Sequence, residues 1–405
     1  MEICDVRSVI GVKKRVIILI IAAFFVFLCS NTKAFADVGE ESFRLEDLSG
    51  KTVILHTNDT HGRILLGKDN SVGLTTLAAL KDACLAAGAE VLLFDAGDTF
   101  RGTTLATYNE GETIGKLMNA LGYDAMVTGN HDYEYGTNHL VRLANKLKFP
   151  VLGSNVIDLT TNHLLFREHV LIEKNGITYG VFGLSTQATM TINDARNVER
   201  ITIMSPVDSA RMEVGFLKTA GADVIIALGH LGINDKSPLN SIDVLSQVDG
   251  IDLFIDGHSH STLLECENVN PKKSTLLVSS DQYLNAIGVV VVDKNLRMKA
   301  YSLTESMLEE LDVLTKESDD LKVDEKKAPY TKVVNEILLN AIKESSQGLS
   351  FRIGTNNLRM SSIPNGNLSI LAASAAVEST IAATVGYEQK EQKFTRFRMI
   401  FSVKK

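Results

Sequence analysis

The amino-acid sequence predicts an α/β fold for most of the chain. Short apolar runs alternate with segments of helical periodicity between residues 45 and 303, and such alternation is typical of strand and helix units. Many of the apolar runs are continuous stretches of Val, Ile and Leu, which indicates sheets covered on both faces. With 405 residues, 45% of them hydrophobic, the chain is long enough for two or three domains.

The formal net charge of −8 restricts the classes of partner. Because 49 acidic residues outnumber 41 basic ones, the chain has no excess of positive charge for a nucleic-acid backbone. A small anionic ligand held at a local cation remains compatible with this charge. The composition therefore argues against nucleic acid as the main partner and leaves a small-molecule partner open.

Residues 1–36 are typical of an export signal. Three basic residues at 13–15 precede an apolar run at 16–29, and Ala34 and Ala36 form a small-x-small cleavage site. The alternative is an uncleaved membrane anchor, but this run is shorter than the roughly 20 residues that span a bilayer. We therefore expect a secreted, periplasmic or cell-surface protein with no stable membrane span after cleavage.

The region that follows, residues 45–303, carries the strand and helix signals. Apolar runs predict strands at residues 52–57, 91–95, 125–128, 150–154, 177–184, 224–228, 253–255, 275–279 and 286–292. Helical periodicity between several of these runs predicts helices at residues 74–87, 113–121, 139–147 and 207–219. These signals predict one α/β domain that ends near residue 303.

The composition changes after residue 303. Residues 304–327 are rich in acids and lysines, as in a solvated helix or linker, and residues 330–345 predict one further helix after Pro329. We treat residues 304–345 as a linker and helix. Residues 346–405 give no recognisable domain pattern, so we expect an incomplete C-terminal region there.

Five segments place metal-ligand residue types where a predicted strand ends. They are NDTHGR at 58–63, GDTFRG at 97–102, GNHDYEYG at 129–136, GHLG at 229–232 and GHSHS at 257–261. A lone histidine after a strand is more often structural, but five such segments in one α/β domain are hard to explain as turns. The candidate ligands are Asp59, His61, Asp98, Asn130, His230, His258 and His260.

These seven side chains are too many for one tetrahedral ion. Carboxylate, amide and imidazole ligands without thiolates suit Zn, Mn or similar ions. The set fits two divalent metal ions that share a bridging carboxylate, spaced roughly 3.5 to 4 Å apart as in two-metal hydrolases.

The ordered set of motifs resembles the calcineurin-like metallophosphoesterases, and in particular the 5'-nucleotidase family, over residues 51–301. This resemblance implies a four-layer α-β-β-α sandwich and hydrolysis of nucleotide phosphomonoesters or related phosphate esters. It also implies a distribution of the ligands. One ion would be held by Asp59, His61 and His260, the other by Asn130, His230 and His258, with Asp98 as the bridge.

The same resemblance implies roles for residues around the ions. His131 matches the family's catalytic histidine, and the acid that orients it corresponds to Glu134, one methylene longer than the usual Asp. Asp132 is the alternative partner of this histidine. Arg63 and Arg101 could hold phosphate, or could be exposed cations or structural ion pairs. Residues 280–288 resemble the family's strand-joining segment near the phosphate site.

Secreted members of the family carry a second, substrate-binding domain whose glycine-rich segment is not found here. An alanine-rich stretch at 371–376 stands in that neighbourhood, and a one-nucleotide shift of glycine codons would produce alanines. One hypothesis is a frameshift or early truncation, and the other is a natural short lineage. The protein could accordingly be a working phosphohydrolase, a promiscuous phosphodiesterase, or an inactive metal-binding remnant.

Overall fold

In a computed structural model of this protein, the described strands form two six-stranded sheets and one three-stranded sheet. The structure describes residues 42–67, 71–233, 239–263, 275–318, 321, 324 and 326–348. The predicted export signal lies outside the described residues, and so does the predicted C-terminal region from residue 349 onward. The architecture below is that of the described residues from 44 onward.

Strands and helices alternate along the chain, as the sequence predicts. The strands are β1 (Thr52–Thr57), β2 (Glu90–Asp95), β3 (Ala125–Val127), β4 (Val151–Leu152), β5 (Val156–Asp158), β6 (His163–Leu164), β7 (His169–Lys174), β8 (Ile177–Ser185), β9 (Ile201–Ile203), β10 (Val224–His230), β11 (Leu253–Ile255), β12 (Thr262–Leu263), β13 (Leu276–Ser280), β14 (Ala286–Val292) and β15 (Met298–Thr304). The helices are α1 (Leu74–Ala86), α2 (Thr104–Thr107), α3 (Glu112–Leu121), α4 (Thr137–Ala144), α5 (Thr189–Ile192), α6 (Ala195–Val198), α7 (Pro206–Thr219), α8 (Ser241–Gln247), α9 (Glu305–Glu310) and α10 (Pro329–Gly348). Short 3₁₀ helices occur at Leu45–Asp47 and His131–Tyr133.

Each large sheet has a parallel centre. The first has the order β15-β14-β1-β2-β3-β4, with β1 to β4 parallel and β14 and β15 antiparallel to their neighbours. The second has the order β12-β13-β11-β10-β8-β7, with β8, β10, β11 and β13 parallel. Parallel neighbours need crossover connections, and helices such as α1 between β1 and β2 and α7 between β8 and β10 supply them.

The two large sheets pack face to face, and helices cover their outer sides. Ile54 and Phe94 of the first sheet share one buried core with Val181 and Ile226 of the second. On the far side of the second sheet, α7 and α8 bury apolar residues such as Leu217. Helix α1 packs on β2 of the first sheet, and α10 packs on α1 and α3. This order of layers confirms the predicted α-β-β-α sandwich.

Strand register brings the predicted site residues to one edge. Thr57 at the end of β1 pairs with Asp95 at the end of β2, and Leu228 near the end of β10 pairs with Ile255 at the end of β11. The carboxyl ends of neighbouring parallel strands meet at the same edge of a sheet, which is where α/β proteins build their sites.

The last described helix, α10, is tied to the domain by a buried carboxylate. Asp82 on α1 accepts hydrogen bonds from the backbone N–H of Tyr330 (3.3 Å) and of Thr331 (2.9 Å), and from the Thr331 hydroxyl (2.7 Å). The first N–H groups of a helix have no partner within it, so this side chain caps α10 from a distant part of the chain.

Within the described residues, no helix has the length and apolar content that a membrane crossing requires.

Replacing Asp82 with alanine is expected to lower the free energy of unfolding by about 2 kcal/mol, the upper end of the range for a lost helix cap. Asp82→Asn keeps one acceptor oxygen and should lose less. Urea denaturation followed by circular dichroism measures both variants. Glu336→Ala, which removes an exposed carboxylate on the same helix, is the control and should change stability by less than about 0.5 kcal/mol. An Asp82→Ala variant as stable as this control would contradict the capping role.

Candidate metal centre

Six of the predicted ligands form two groups at the common edge of the sheets. Asp59, His61 and His260 form the first group, and Asp98, His230 and His258 form the second. In each group, one ligand atom from every residue lies within 4.8 Å of the others. Within the first group, Nε2 of His61 lies 3.2 Å from Nε2 of His260, and Nε2 of His260 lies 3.5 Å from Oδ1 of Asp59.

Asp98 lies between the two groups. Its Oδ2 is 3.2 Å from Nε2 of His230 in the second group and 3.9 Å from Nε2 of His61 in the first. Its Oδ1 accepts a hydrogen bond of 2.7 Å from the backbone N–H of His131. One carboxylate thus faces both ligand groups and also fixes the start of the segment that carries the predicted catalytic histidine.

The ligand loops adopt backbone conformations that non-glycine residues rarely use. The φ angle is 49° at Asp59, 46° at His61, 58° at Asp98, 82° at His258 and 51° at His260. Left-handed conformations of this kind cost free energy and concentrate at functional sites. Sequence patterns gave no sign of this shared conformation.

Glycine is required where the loops touch. A Cβ at Gly129 would lie 2.2 Å from Oδ1 of Asp98, and a Cβ at Gly102 would lie 2.0 Å from the carbonyl oxygen of His61. Both distances are far below van der Waals contact. The glycines of the GDTFRG and GNHDYEYG motifs therefore allow the backbone to approach the ligands closely.

Asp132 organises the loops rather than holding His131. Its buried carboxylate accepts four backbone N–H groups, from Asp98 (3.0 Å), Thr99 (3.0 Å), Phe100 (3.0 Å) and Gly129 (2.8 Å). The sequence-based alternative, in which Asp132 orients the catalytic histidine, is wrong because both oxygens are turned toward the backbone. Burial raises the pKa of Asp132, and these hydrogen bonds oppose that shift.

A buried asparagine supports the first group. Nδ2 of Asn58 donates to Oδ2 of Asp59 (2.7 Å) and to the carbonyl of Asp281 (2.6 Å), while its Oδ1 accepts from the N–H and hydroxyl of Ser280. The backbone N–H of His258 also donates to the Asp59 carboxylate, at 2.9 and 3.0 Å. Asn58 lies inside the NDTHGR motif, yet its supporting role depends on contacts more than 200 residues away that no local pattern reveals.

Two buried atoms test whether cations fit here. Nδ1 of His230 donates to the carbonyl of Ala96 (2.7 Å), so in the neutral imidazole the buried Nε2 lone pair faces Oδ2 of Asp98 at 3.2 Å, which is another acceptor and not a hydrogen-bond partner. Oδ1 of Asn130 is likewise buried without a hydrogen-bond partner among the described residues. Buried polar atoms are normally satisfied, and a bound cation would satisfy both. The donor set therefore fits divalent cations.

The pKa values of these side chains bear on cation binding, because protons would compete with a cation for the same atoms. Burial raises the pKa of Asp59 to about 7 and lowers the pKa of His61 to about 4. Burial also acts to lower the pKa of His230, but the charge of Asp98 outweighs it and raises that pKa to about 10. Ligand carboxylates and imidazoles must be deprotonated, so cation binding releases protons.

The predicted catalytic residues form a chain of contacts at the mouth of the centre. Nδ1 of His131 contacts Oε1 of Glu134, and Oε2 of Glu134 pairs with Nη1 of Arg101. The longer side chain of Glu134 therefore does reach the imidazole. Arg101 lies in an ion pair with Glu134, and the guanidinium of Arg63 lies 4.1 Å from the ring centroid of Tyr283.

The segment after β8 forms hydrogen bonds with the loop that carries the predicted catalytic histidine. Nδ2 of Asn193 donates to the carbonyl of Asn130 (2.9 Å), and Nδ2 of Asn197 donates to the carbonyl of Glu134 (2.9 Å). The Thr137 hydroxyl in turn donates to the carbonyl of Asn197 (2.8 Å). Sequence reasoning missed these residues because they lie about 60 positions away in a segment without a strong pattern.

Known proteins share part of this sequence or its fold. A 5'-nucleotidase of Vibrio parahaemolyticus is 30% identical over 240 residues, which cover 56% of this chain and 43% of the relative. The chain thus matches less than half the length of that relative. Two solved structures share the fold: a 5'-nucleotidase precursor from Thermus thermophilus (TM-score 0.60, 22% identity, 82% of this chain and 68% of that chain) and the calcineurin-like phosphoesterase YfkN from Bacillus subtilis (TM-score 0.57, 24% identity, 73% and 98%).

A family model described as calcineurin-like phosphoesterase matches residues 52–262, slightly more than half of the chain. The matched range contains all seven predicted ligands and both groups that the fold assembles. The resemblance inferred from the motifs is confirmed, and this chain belongs to the calcineurin-like phosphoesterase family.

Proposed function

We propose that the chain is an exported phosphohydrolase that uses two divalent cations to hydrolyse nucleotide phosphomonoesters or related phosphate esters. The observation that carries the proposal is the position of Asp98, 3.2 Å from a ligand nitrogen of one group and 3.9 Å from a ligand nitrogen of the other. A carboxylate shared between two ligand groups is the arrangement that two-metal hydrolases use.

Each group would hold one ion. Asp59, His61 and His260 would bind the first, and Asn130, His230 and His258 would bind the second. Asp98 would contribute to both. When bound, two cations such as Zn or Mn supply positive charge that stabilises the phosphoryl oxygens and makes a nearby water more acidic.

The residues around the ions would position the reacting groups. Water attacks phosphorus, the ester P–O bond breaks, and the leaving oxygen must receive a proton or a hydrogen bond. His131 can supply it from Nε2, because Nδ1 is engaged by Glu134 and the imidazole is 40% exposed at the mouth of the centre. Glu134 fixes the ring orientation, and its pairing with Arg101 fixes Glu134 in turn.

The position of Arg101 also bears on phosphate binding. Its side chain is 45% exposed and is paired with Glu134, so a phosphate would compete with that carboxylate for the guanidinium. We propose that Arg101 acts mainly through Glu134, and that Arg63 contributes positive charge on the side of Tyr283.

The domain division is part of the same proposal. Residues 45–303 would form the catalytic domain, and residues 304–345 a linker and helix. The end of β15 at Thr304 and the docking of α10 through Asp82 support this division. Export would follow from the signal in residues 1–36.

Hydrolysis assays test the proposal. The full chain without its signal is expected to hydrolyse bis-p-nitrophenyl phosphate, p-nitrophenyl phosphate or AMP in the presence of Mn or Zn, and to lose this activity with a chelator. His131→Ala should lower kcat by about 10²-fold, the low end of the range for a lost general acid. It should leave the number of bound cations unchanged, since His131 is in neither ligand group.

Two results would contradict the proposal. No turnover of any of the three esters by a protein that binds two cations would favour a metal-binding protein without catalytic activity. Turnover that persists after complete removal of the cations would exclude the two-cation mechanism. A preference for the p-nitrophenyl esters over AMP would identify a phosphohydrolase without nucleotide specificity.

A further inference from the structure

A tyrosine outside every predicted ligand motif contacts both histidines of the first group. The Tyr283 ring centroid lies 5.6 Å from that of His61 and 5.7 Å from that of His260, with interplanar angles of 64° and 60°. The two imidazoles are 5.3 Å apart at 76°. Each ring thus meets the other two edge to face, the geometry that aromatic pairs favour.

Backbone hydrogen bonds fix the turn that carries this tyrosine. The N–H of Tyr283 donates to the carbonyl of Asp59 (2.8 Å), and the N–H of Asp281 donates to the carbonyl of Ser261 (3.0 Å). The carbonyl of Asp281 accepts from Asn58 (2.6 Å). The turn is therefore bonded to both loops that supply the first ligand group.

The conformation of the turn is unusual for its residues. The φ angle is 69° at Asp281, 59° at Tyr283 and 55° at Leu284. A bulky residue in the left-handed region is uncommon and persists where the surroundings determine it. Here the strained backbone places the aromatic ring against the two imidazoles, and the guanidinium of Arg63 lies over that ring.

We infer that Tyr283 is a positioning residue that holds the imidazoles of His61 and His260 in the orientation needed by a cation at the first group. This inference rests on the proposed function. The second group is held differently, because His230 is oriented by a hydrogen bond to the Ala96 carbonyl. Loss of the Tyr283 ring should therefore weaken one cation site and leave the other intact.

Replacing Tyr283 with leucine is expected to weaken cation binding at the first group by about 10-fold or more, as is typical when a group that orients metal ligands is lost. Binding at the second group should remain near its original strength. Tyr283→Phe keeps the ring and should retain both sites. Calorimetric titration of the metal-free full chain with Mn²⁺ gives the number of sites and their affinities. The visible absorption of the Co²⁺-loaded protein reports the ligand geometry.

Tyr301→Leu is the matched control, because Tyr301 also lies near a cation, with Nζ of Lys299 5.4 Å from its ring centroid, and it belongs to β15, where it pairs with Val289 of β14, and to neither ligand group. An unchanged first site in Tyr283→Leu would overturn the inference and leave the proposed function standing. An equal loss at both sites would also overturn it, since that is the result of general damage to the fold. A wild-type chain that binds fewer than two cations would overturn the inference and the proposed function together.

Discussion

Replacing Asp98 with alanine is expected to lower kcat/KM for phosphate ester hydrolysis by at least about 10³-fold. Loss of one preorganised electrostatic contact typically costs about 10² to 10³-fold in rate, and Asp98 serves both ligand groups at once. The change also removes the acceptor of the His131 N–H, so the proposed catalytic histidine loses part of its support. Steady-state kinetics with p-nitrophenyl esters at saturating Mn²⁺ measures the effect.

The conservative variant separates charge from shape. Asp98→Asn keeps the size of the side chain and one acceptor oxygen, so its loss of activity should be smaller than that of alanine but still exceed about 10-fold. Asp208→Ala removes a carboxylate that is 70% exposed on α7 and should leave the kinetics unchanged. If Asp98→Ala retained more than about a tenth of the original activity, the assignment of Asp98 as the shared ligand would be wrong.

Asp98→Ala and Tyr283→Leu should differ in the number of cations that they retain. Because Asp98 faces both groups, Asp98→Ala is expected to weaken the binding of both cations. Tyr283→Leu is expected to weaken the binding of one cation only. Elemental analysis after dialysis distinguishes these patterns. The comparison tells a lost ligand from a lost positioning contact by a measurement that does not depend on turnover.

Much of the layer arrangement could be predicted from local patterns, because its central strands are continuous apolar runs. The strands that escaped prediction lie at edges or are short. β7 alternates half-buried and exposed residues and ends in Glu173 and Lys174, so its apolar signal is weak. β5, β6 and β9 have two or three residues each, and strands of that length exist only because a partner pairs with them.

The ligand residues of each sheet could be predicted to lie together, because the carboxyl ends of its parallel strands lie at the same edge. That the two sheets bring these edges together is a feature of the tertiary fold. The residues that hold the ligand loops in place could not be predicted in the same way. Asn58, Asn193 and Tyr283 act through partners far away in the sequence, and their residue types are common in ordinary loops. The backbone conformation that turns the ligands inward is likewise a product of tertiary contacts.

Asp132 is the clearest case of such support, and its removal should have the largest effect on stability. Asp132→Ala would leave four buried backbone N–H groups without their acceptor. Each unsatisfied buried donor costs about 1 kcal/mol or more, so the free energy of unfolding should fall by about 4 kcal/mol. Denaturant unfolding of the metal-free chain measures this loss without any contribution from bound cations.

Two comparisons decide whether the effect comes from the hydrogen bonds. Asp132→Asn keeps one acceptor oxygen and should lose roughly half as much stability as alanine, whereas the exposed Asp208→Ala should change it by less than about 0.5 kcal/mol. A loss below about 1 kcal/mol in Asp132→Ala would show that water or a rearranged loop satisfies these donors. Three of these N–H groups belong to Asp98, Thr99 and Phe100. Even a folded Asp132→Asn protein should therefore bind cations more weakly, because the proposed shared ligand, Asp98, would no longer be held in place.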